Sequence, residues 1–196
     1  MRYSYLALGD SYTIGEQVLL SENFPNKTVQ LLNGLIEAPL IIATTGWTTD
    51  ELNNAIDAAK ISTTYDIVSL LIGVNNQYRG RPIDNFATEF EQLLQRAIGF
   101  ANHKVDHVFV LSIPDWGVTP FAEGKDRTKI ATEIDAYNKV CETYALKAGA
   151  HYIDITASQR ADGNKVEYLA ADKLHPSGKE YHKWAEQLAE SIKKLY

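Results

Sequence analysis

The sequence predicts an α/β fold: a three-layer α/β/α sandwich built on a five-stranded parallel sheet. Short apolar runs alternate along the chain with longer stretches of helical period. This alternation favours a parallel sheet with helices on both faces. One run, Asp66–Ile72, is almost continuously apolar, as expected of a strand that is covered on both sides. Neither a repeat nor a linker interrupts the chain, so we expect residues 1–196 to form a single domain.

The predicted strands are the five short apolar runs Tyr3–Leu8, Leu40–Thr44, Asp66–Ile72, His107–Ile113 and Tyr152–Ile155. Runs of this length, bounded by turn-forming residues, are typical of strands. In sheets of this class, ligands bind beyond the carboxyl ends of the strands. Polar residues that directly follow a strand are therefore the first candidates for a functional site.

Helices are predicted between the strands. Pro25–Asn33 has a proline suited to a first helical turn. Thr48 and Glu51 have the spacing of a capping box and predict the start of a second helix. Apolar residues at helical spacing indicate two more, over Phe86–Ala101 and Ile130–Tyr144.

The last helix has the clearest signals. Ser177–Glu180 has the spacing of a second capping box. An apolar stripe follows at helical spacing, running from Tyr181 through Trp184 to Leu195. We interpret this stripe as the face that packs on the core.

Composition excludes several classes of protein. The net charge is −6, and the only basic cluster is Lys193–Lys194 at the end of the last helix. Nucleic-acid binding needs clustered Lys and Arg, so no nucleic-acid partner is expected. Since no run approaches about 20 consecutive apolar residues, no stable membrane insertion is expected either. The oligomeric state is left open.

The cysteine and histidine residues predict no metal site. Cys141 is the only cysteine, and its neighbours indicate a buried, inert thiol on a helix face. His103 and His107 are four residues apart but straddle a helix-to-strand junction, so we expect them on the surface. Met1-Arg2 leads directly into the first strand. The protein is cytoplasmic if Met1 is native, and secreted or periplasmic if a leader was removed.

A candidate nucleophile follows the first strand, in the motif Gly9-Asp10-Ser11-Tyr12. A nucleophile has to project from the sheet on a tight turn, and Gly9 permits a turn that a side chain would obstruct. On these four residues alone, an ordinary strand-to-loop turn is equally compatible.

A candidate base lies near the other end of the chain, in Asp172-Lys173-Leu174-His175-Pro176. At this spacing the Asp can accept a hydrogen bond from one imidazole nitrogen while the other nitrogen faces a serine. Taken alone, such a pair is more often a surface turn or a helix cap.

Two further motifs follow strands. Gly73-Val74-Asn75-Asn76 comes directly after the third strand, where a side-chain amide can donate a hydrogen bond to an oxyanion. Gly46 follows the second strand and offers a backbone N–H. Each motif is also compatible with an ordinary turn.

Together, and in this order, the four motifs resemble those of the SGNH hydrolases, also called GDSL-type esterases and lipases. That family has Gly-Asp-Ser after strand one, a lone Gly after strand two, Gly-x-Asn-Asp after strand three and Asp-x-x-His before the last helix. The motifs frame the chain from about Tyr3 to Leu195. The resemblance implies a flavodoxin-like sheet and one SGNH hydrolase domain over residues 1–196.

The resemblance also implies roles for individual residues. Ser11 corresponds to the nucleophile and His175 to the general base, and Asp172 corresponds to the residue that orients the base. The backbone N–H groups of Ser11 and Gly46 and the amide of Asn75 correspond to the oxyanion hole. The family needs no metal and no organic cofactor.

The sequence departs from the family pattern at two positions. Tyr12 replaces the Leu of the family motif, and Asn76 replaces the Asp that usually follows the oxyanion Asn. The second change leaves open whether Asn75 or Asn76 faces the oxyanion.

The predicted substrate is a small-molecule ester, either a short-chain acyl ester or an acetylated carbohydrate, because the sequence contains no lid-like apolar segment. Trp116, Phe121 and Tyr78 follow strands at the same edge of the sheet and are candidates for the substrate pocket. Nearby, Gln77 is another candidate contact, and Arg79 and Arg81 could favour an acidic group. Such charges are more often simply solvated, and the segment with Trp116 and Phe121 is equally compatible with a loop that packs on its own aromatic side chains.

Three alternative functions fit the sequence less well. A lysophospholipase or thioesterase of the same family is one alternative. A flavodoxin-like nucleotide-binding protein is an alternative of a different class, but the chain lacks both glycine-rich phosphate-binding motifs. An ordinary α/β-hydrolase elbow, Gly-x-Ser-x-Gly, is excluded because Thr13 occupies its last position.

Overall fold

Five apolar segments pair in parallel to form the sheet. In the computed structural model, which describes residues 2–196, they are β1 (Tyr5–Gly9), β2 (Leu40–Ala43), β3 (Ile67–Leu71), β4 (Val108–Leu111) and β5 (His151–Ile153). The order across the sheet is β2-β1-β3-β4-β5, and all neighbouring pairs are parallel. The predicted class and number of strands are thereby confirmed. Strand order reverses between β1 and β3, and this reversal is where such sheets bind ligands.

Helices cover both faces of the sheet. Residues 2–196 contain α1 (Ser11–Ile14), α2 (Phe24–Leu31), α3 (Thr49–Ala59), α4 (Val74–Tyr78), α5 (Ile83–Phe100), α6 (Arg127–Ala148), α7 (Thr156–Asp162) and α8 (Gly178–Lys193). Helix α2 packs against α8, whereas α5 packs against both α3 and α6. The chain runs towards one edge of the sheet from β1 to β2, and towards the opposite edge from β2 through β3 and β4 to β5. Because crossovers between parallel strands are right-handed, this reversal places α2 and α8 on one face and α3, α5 and α6 on the other.

The core lies along the middle of the sheet. Every residue of β1, β3 and β4 is buried, whereas the edge strands β2 and β5 are partly exposed. Large buried side chains from the helices complete the core, among them Trp184, Phe24, Phe86 and Phe90. None of the helices in the described residues has the length and apolar composition needed to cross a bilayer.

Most element boundaries lie within two residues of the prediction. Tyr3 lies outside β1 and joins Ile36 only through an isolated parallel bridge. The predicted cap of α3 is present, since the Glu51 carboxylate accepts a hydrogen bond from the Thr48 N–H at 2.9 Å. Cys141 is buried, as predicted.

The second predicted capping box is only half correct. Ser177 caps α8 by accepting a hydrogen bond from the Lys179 N–H at 3.3 Å. Glu180 instead turns inward, where it accepts from Ser158 Oγ at 2.8 Å and from Trp184 Nε1 at 2.9 Å. The physical reason is that a buried indole N–H needs an acceptor, and Glu180 lies one turn before Trp184 on the same helix.

A buried carboxyl group lies directly below α1. Asp10 is 1% exposed, and its Oδ1 caps α1 by accepting from the Tyr12 N–H at 3.0 Å. Its other oxygen is buried and has no hydrogen-bond partner within residues 2–196. Burial raises the pKa of Asp10 to about 7, against the smaller opposing effect of the Tyr12 hydrogen bond.

Asp10→Asn tests whether burial raises the pKa of the Asp10 carboxyl group. An unfolded Asp titrates near pH 4, so the folded protein alone binds this proton between about pH 4 and pH 7. The Asp10 contribution to the free energy of unfolding therefore falls as pH rises through that window. Asn keeps the acceptor oxygen for Tyr12 but cannot ionise. Denaturant titrations at pH 4.5 and pH 8 should show the variant gaining stability relative to wild type at the higher pH. A difference that is independent of pH would contradict the raised pKa.

Candidate active site

A cavity of about 190 Å³ opens at the carboxyl edge of the sheet. Residues from five separate segments line it: Ser11, Tyr12, Thr45, Gly46, Val74, Asn75, Tyr78, Trp116, Phe121, Leu174 and His175. All the residues predicted for the triad, the oxyanion hole and the aromatic pocket line this cavity except Asp172, which contacts His175. The structure thus brings together residues that are up to 164 positions apart in the sequence.

Ser11 lies where β1 passes into α1. It is the first residue of that one-turn helix and is largely buried, with its side chain in the wall of the cavity. A Cβ on Gly9 would lie 2.5 Å from the Leu71 carbonyl oxygen and 2.1 Å from Thr13 Oγ1. Only glycine fits there, so the strand can turn sharply into the helix and present Ser11 at its end.

Asp172 and His175 form a compact hydrogen-bonded unit. Asp172 Oδ1 accepts from the backbone N–H groups of Leu174 and His175, both at 3.0 Å. Its Oδ2 lies 2.5 Å from His175 Nδ1. Burial favours a higher pKa for Asp172, but the hydrogen bonds from His175 and Leu174 outweigh it and hold the pKa below its usual value. The carboxylate is therefore ionised at neutral pH.

The tautomer of His175 follows from this contact. An ionised carboxylate can only accept, so Nδ1 must carry the proton that it shares with Asp172. The imidazole ring lines the cavity, which leaves Nε2 available as an acceptor. Within residues 2–196, no hydrogen bond joins Ser11 to His175 Nε2. Such contacts are often long in ligand-free sites and shorten when substrate binds.

Backbone hydrogen bonds hold the loop that carries His175. The Ala170 N–H donates to the His175 carbonyl oxygen at 2.8 Å, and the Ser177 N–H donates to the Tyr168 carbonyl oxygen at 2.9 Å. Tyr12 packs against the imidazole, with ring centroids 5.6 Å apart. The backbone hydrogen bonds therefore hold the two ends of the loop together, and the contact with Tyr12 holds the His175 ring.

Gly46 lies in a tight turn that follows β2. The Trp47 N–H donates to the Thr44 carbonyl oxygen at 3.3 Å, and Gly46 has a φ of +88°. A turn with positive φ at its third residue is the type II arrangement that favours glycine. Arg79 Nη2 donates to the Gly46 carbonyl oxygen at 2.6 Å and holds the turn against α4.

The two asparagines of α4 have different surroundings. Asn75 lines the cavity, and its Nδ2 donates to the Trp47 carbonyl oxygen at 2.9 Å, which leaves its second N–H free. Asn76 is fully buried, where Nδ2 donates to Thr49 Oγ1 at 2.7 Å and Oδ1 accepts from the Thr49 N–H at 3.1 Å. Asn76 therefore binds the first turn of α3, and Asn75 is the amide that faces the cavity.

Aromatic side chains form the outer wall of the cavity. Trp116 is 5% exposed, whereas Phe121 and Tyr78 are 43% and 54% exposed. Tyr78 and Phe121 each meet the Trp116 ring edge-on, with centroids 5.3 Å and 6.1 Å away. Trp116 Nε1 donates to Gln77 Oε1 at 2.8 Å, which fixes the indole.

Three other sequence expectations are corrected. Arg79 pairs with Glu51, and Arg81 pairs with Asp50 at 2.6 Å, so neither is free to favour an acidic substrate. Gln77 is buried and holds Trp116 rather than facing the cavity. His107 is half-buried, with Nδ1 2.5 Å from the Asp66 carbonyl oxygen, whereas the prediction put it on the surface. No group of three or more potential metal ligands occurs within residues 2–196.

The sequence alone missed four residues of the cavity: Tyr12, Thr45, Val74 and Leu174. Each is adjacent to a predicted site residue, which is the one signal that could have identified them. Thr45 also donates a hydrogen bond to Glu16 Oε2 at the exposed rim. Their apolar or hydroxyl side chains carry no distinctive pattern in the sequence.

Known structures share this fold. A psychrotrophic esterase from Pseudoalteromonas sp., in a structure inhibited by monoethylphosphonate, is 15% identical with a TM-score of 0.75, and the match covers 98% of each chain. An acetylxylan esterase from Geobacillus stearothermophilus is 19% identical with a TM-score of 0.77 over 97% of this chain and 94% of that one. A lipase/acylhydrolase from Enterococcus faecalis is 21% identical with a TM-score of 0.68 over 100% and 97%. Comparison with curated protein sequences gives no match.

The family follows from the sequence itself. The model of the GDSL-like lipase/acylhydrolase family matches residues 7–183, which include all four motifs around the cavity. Because the match spans most of the chain, the resemblance seen in the motifs is confirmed. The chain belongs to the GDSL-like lipase/acylhydrolase family and is a carboxylic ester hydrolase.

Proposed function

We propose that the protein is a serine esterase that hydrolyses small carboxylic esters, either short-chain acyl esters or acetylated carbohydrates, without a metal or organic cofactor. The main support is the arrangement around one cavity of a serine at a helix start, a carboxylate-bound imidazole and an amide with a free N–H. These are the groups that acyl transfer to serine requires.

In the proposed acylation step, Ser11 Oγ attacks the ester carbonyl carbon while His175 Nε2 takes the hydroxyl proton. Asp172 holds the imidazole in the required tautomer and stabilises the cation that forms. The imidazolium then gives its proton to the departing alcohol. His175 then takes a proton from a water molecule, which attacks the acyl-enzyme carbonyl carbon. The acid is released as Ser11 Oγ leaves and regains its proton from His175.

The proposed oxyanion hole consists of the backbone N–H groups of Ser11 and Gly46 and the side-chain amide of Asn75. Two neighbouring contacts support these roles. The Asn75 amide is anchored by the Trp47 carbonyl oxygen, and the Gly46 turn is anchored by Arg79. Donors held in place before the reaction stabilise the developing charge at little reorganisation cost.

The size of the cavity supports a small acyl group. Its volume of about 190 Å³ is close to the roughly 150 Å³ of an apolar cavity that holds one benzene molecule. Trp116 and Phe121 would contact the acyl group, with Tyr78 at the rim. A lysophospholipase or long-chain thioesterase would need a longer apolar channel. The net charge of −6 argues against a nucleic-acid partner.

Ser11→Ala should abolish hydrolysis of p-nitrophenyl acetate, because the reaction loses its nucleophile. Loss of the nucleophilic serine of such a triad lowers turnover by a factor on the order of 10⁶. Steady-state kinetics and labelling with a serine-directed fluorophosphonate provide the two measurements. Ser21→Ala, at an exposed serine outside the cavity, serves as the matched control and should behave as wild type. Turnover above a few per cent of wild type in Ser11→Ala would exclude Ser11 as the nucleophile.

Substitution of Asn75 should affect catalysis, whereas substitution of Asn76 should affect stability. Asn75→Ala should lower kcat by roughly 100- to 1000-fold, with little change in melting temperature. Asn76→Ala should mainly destabilise the fold, by about 1–3 kcal/mol, because it leaves buried groups of Thr49 without partners. Kinetics and thermal denaturation of both variants test this. An unchanged kcat in Asn75→Ala would remove it from the proposed oxyanion hole.

A series of p-nitrophenyl esters tests the size limit. We expect kcat/KM to be highest for acyl chains of up to about six carbons, the number in the benzene that a cavity of similar volume holds. Trp116→Ala should extend the range to longer chains, because it enlarges the cavity. A wild-type optimum at long acyl chains would instead support the lysophospholipase or thioesterase alternative.

A further inference from the structure

A second concave surface adjoins the catalytic cavity. It has a volume of about 490 Å³, and Tyr78 and Trp116 line both spaces. A third space of about 250 Å³ continues from it and shares Gln77, Gly80 and Glu133 with it. We call the second and third spaces together the side groove. The side groove therefore borders the catalytic cavity at Tyr78 and Trp116 and extends along the start of α6.

The wall between the catalytic cavity and the side groove is held rigidly. Gln77 accepts a hydrogen bond from Trp116 Nε1 at 2.8 Å and donates one to Glu133 Oε2 at 2.7 Å. This chain of contacts fixes the indole against α6. Tyr78, by contrast, is 54% exposed and meets Trp116 edge-on. Its phenol ring is therefore available to a ligand at the junction of the two spaces.

The side groove combines apolar surface with charges of both signs. Tyr78, Trp116 and Ile130 contribute aromatic and aliphatic atoms. Three cations and two anions lie beside them: Arg81, Lys125, Lys129, Asp126 and Glu133. Two of the cations are already paired within the protein, since Arg81 lies 2.6 Å from Asp50 and Lys129 lies 3.8 Å from Glu133. Such a surface offers little net attraction to an anion, and its charged side chains interrupt the apolar surface that an aliphatic chain would need.

This chemistry fits the alcohol half of an ester better than the acyl half. A sugar ring presents apolar C–H faces, which pack on aromatic rings, and a rim of hydroxyl groups, which bind charged and amide side chains. The catalytic cavity is large enough only for a short acyl group, so the alcohol half must extend out of it. Tyr78 and Trp116 border both spaces, so an alcohol half that leaves the cavity on this side reaches the side groove.

We propose that the side groove binds a sugar residue that carries the ester, so that the natural substrate is a short-chain acylated glycoside or oligosaccharide. Tyr78 packs on the apolar face of the sugar ring, while Lys129 and its neighbours bind the hydroxyl groups. This inference rests on the proposed function, since it assigns the alcohol half of the same substrate.

Two acetates of primary alcohols test the inference. Ethyl acetate and methyl 6-O-acetyl-glucopyranoside share the acyl group and the type of ester bond but differ in the alcohol half. The quantity to measure is the ratio of kcat/KM for the sugar ester to kcat/KM for ethyl acetate. Any general damage to folding or to catalysis lowers both values and leaves this ratio unchanged.

We expect the ratio to exceed 1 in the wild type and to fall about 10-fold in Lys129→Ala, the loss expected for one hydrogen bond to a charged group. Tyr78→Ala should lower the ratio by about 3- to 10-fold through lost aromatic packing. Lys139→Ala is the matched control: it lies on the same helix, is also exposed, and pairs with Glu142 at 2.8 Å outside the side groove. Its ratio should equal that of the wild type.

The outcomes separate the two proposals. A wild type that hydrolyses both esters, with a ratio that neither Lys129→Ala nor Tyr78→Ala changes, would overturn the side groove as a sugar site and leave the esterase proposal intact. A wild type that hydrolyses neither ester and is not labelled by a fluorophosphonate would overturn both proposals.

Discussion

The parallel pairing of β1 with both β2 and β3 is the constraint on which the site depends. In this register Gly9 pairs with Ala43 on one side and with Leu71 on the other. The three strands therefore end at the same level, and the segments that follow them meet at one edge. These segments carry Ser11, Gly46 and Asn75, and their convergence follows from the sheet rather than from any contact among the three. Because β1 and β3 are buried on both faces, a one-residue shift in register would move each side chain to the opposite face and disrupt the close packing there, which disfavours it.

The second half of the site depends on local hydrogen bonding. Asp172 satisfies two backbone N–H groups and the imidazole at the same time, so it shapes the loop and orients His175 with one carboxylate. Helix α8 begins three residues after His175 and anchors the loop to the core through its buried face. The imidazole is thereby held at the cavity by α8 on its C-terminal side and by the Asp172 turn on its N-terminal side.

Charged and amide side chains around the cavity mostly position other groups. Arg79 binds the Gly46 carbonyl oxygen, Gln77 binds the Trp116 indole, and Asn76 binds the first turn of α3. Each lies within four residues of Asn75 on or beside α4. This short helix is therefore the point at which the turn after β2, the loop after β4 and helix α3 are all held in register. Among its amide side chains, Asn75 alone lines the cavity.

The sequence by itself was sufficient for the class of fold, the five strands and the residues of the four motifs. Continuous apolar runs such as Ile67–Leu71 reflect burial on both faces, and a capping box such as Thr48 and Glu51 is a local hydrogen-bond pattern. The short helices α1, α4 and α7 were not predicted, because helices of four to seven residues form only when tertiary packing stabilises them.

Only the tertiary structure distinguished the roles of Asn75 and Asn76. It also determined that Glu180 accepts a hydrogen bond from Trp184 and that Arg79 and Arg81 pair with acidic residues of α3. Adjacent residues of one type carry the same local signal. Which of them meets a buried partner and which meets a cavity is decided by elements that are distant in the sequence.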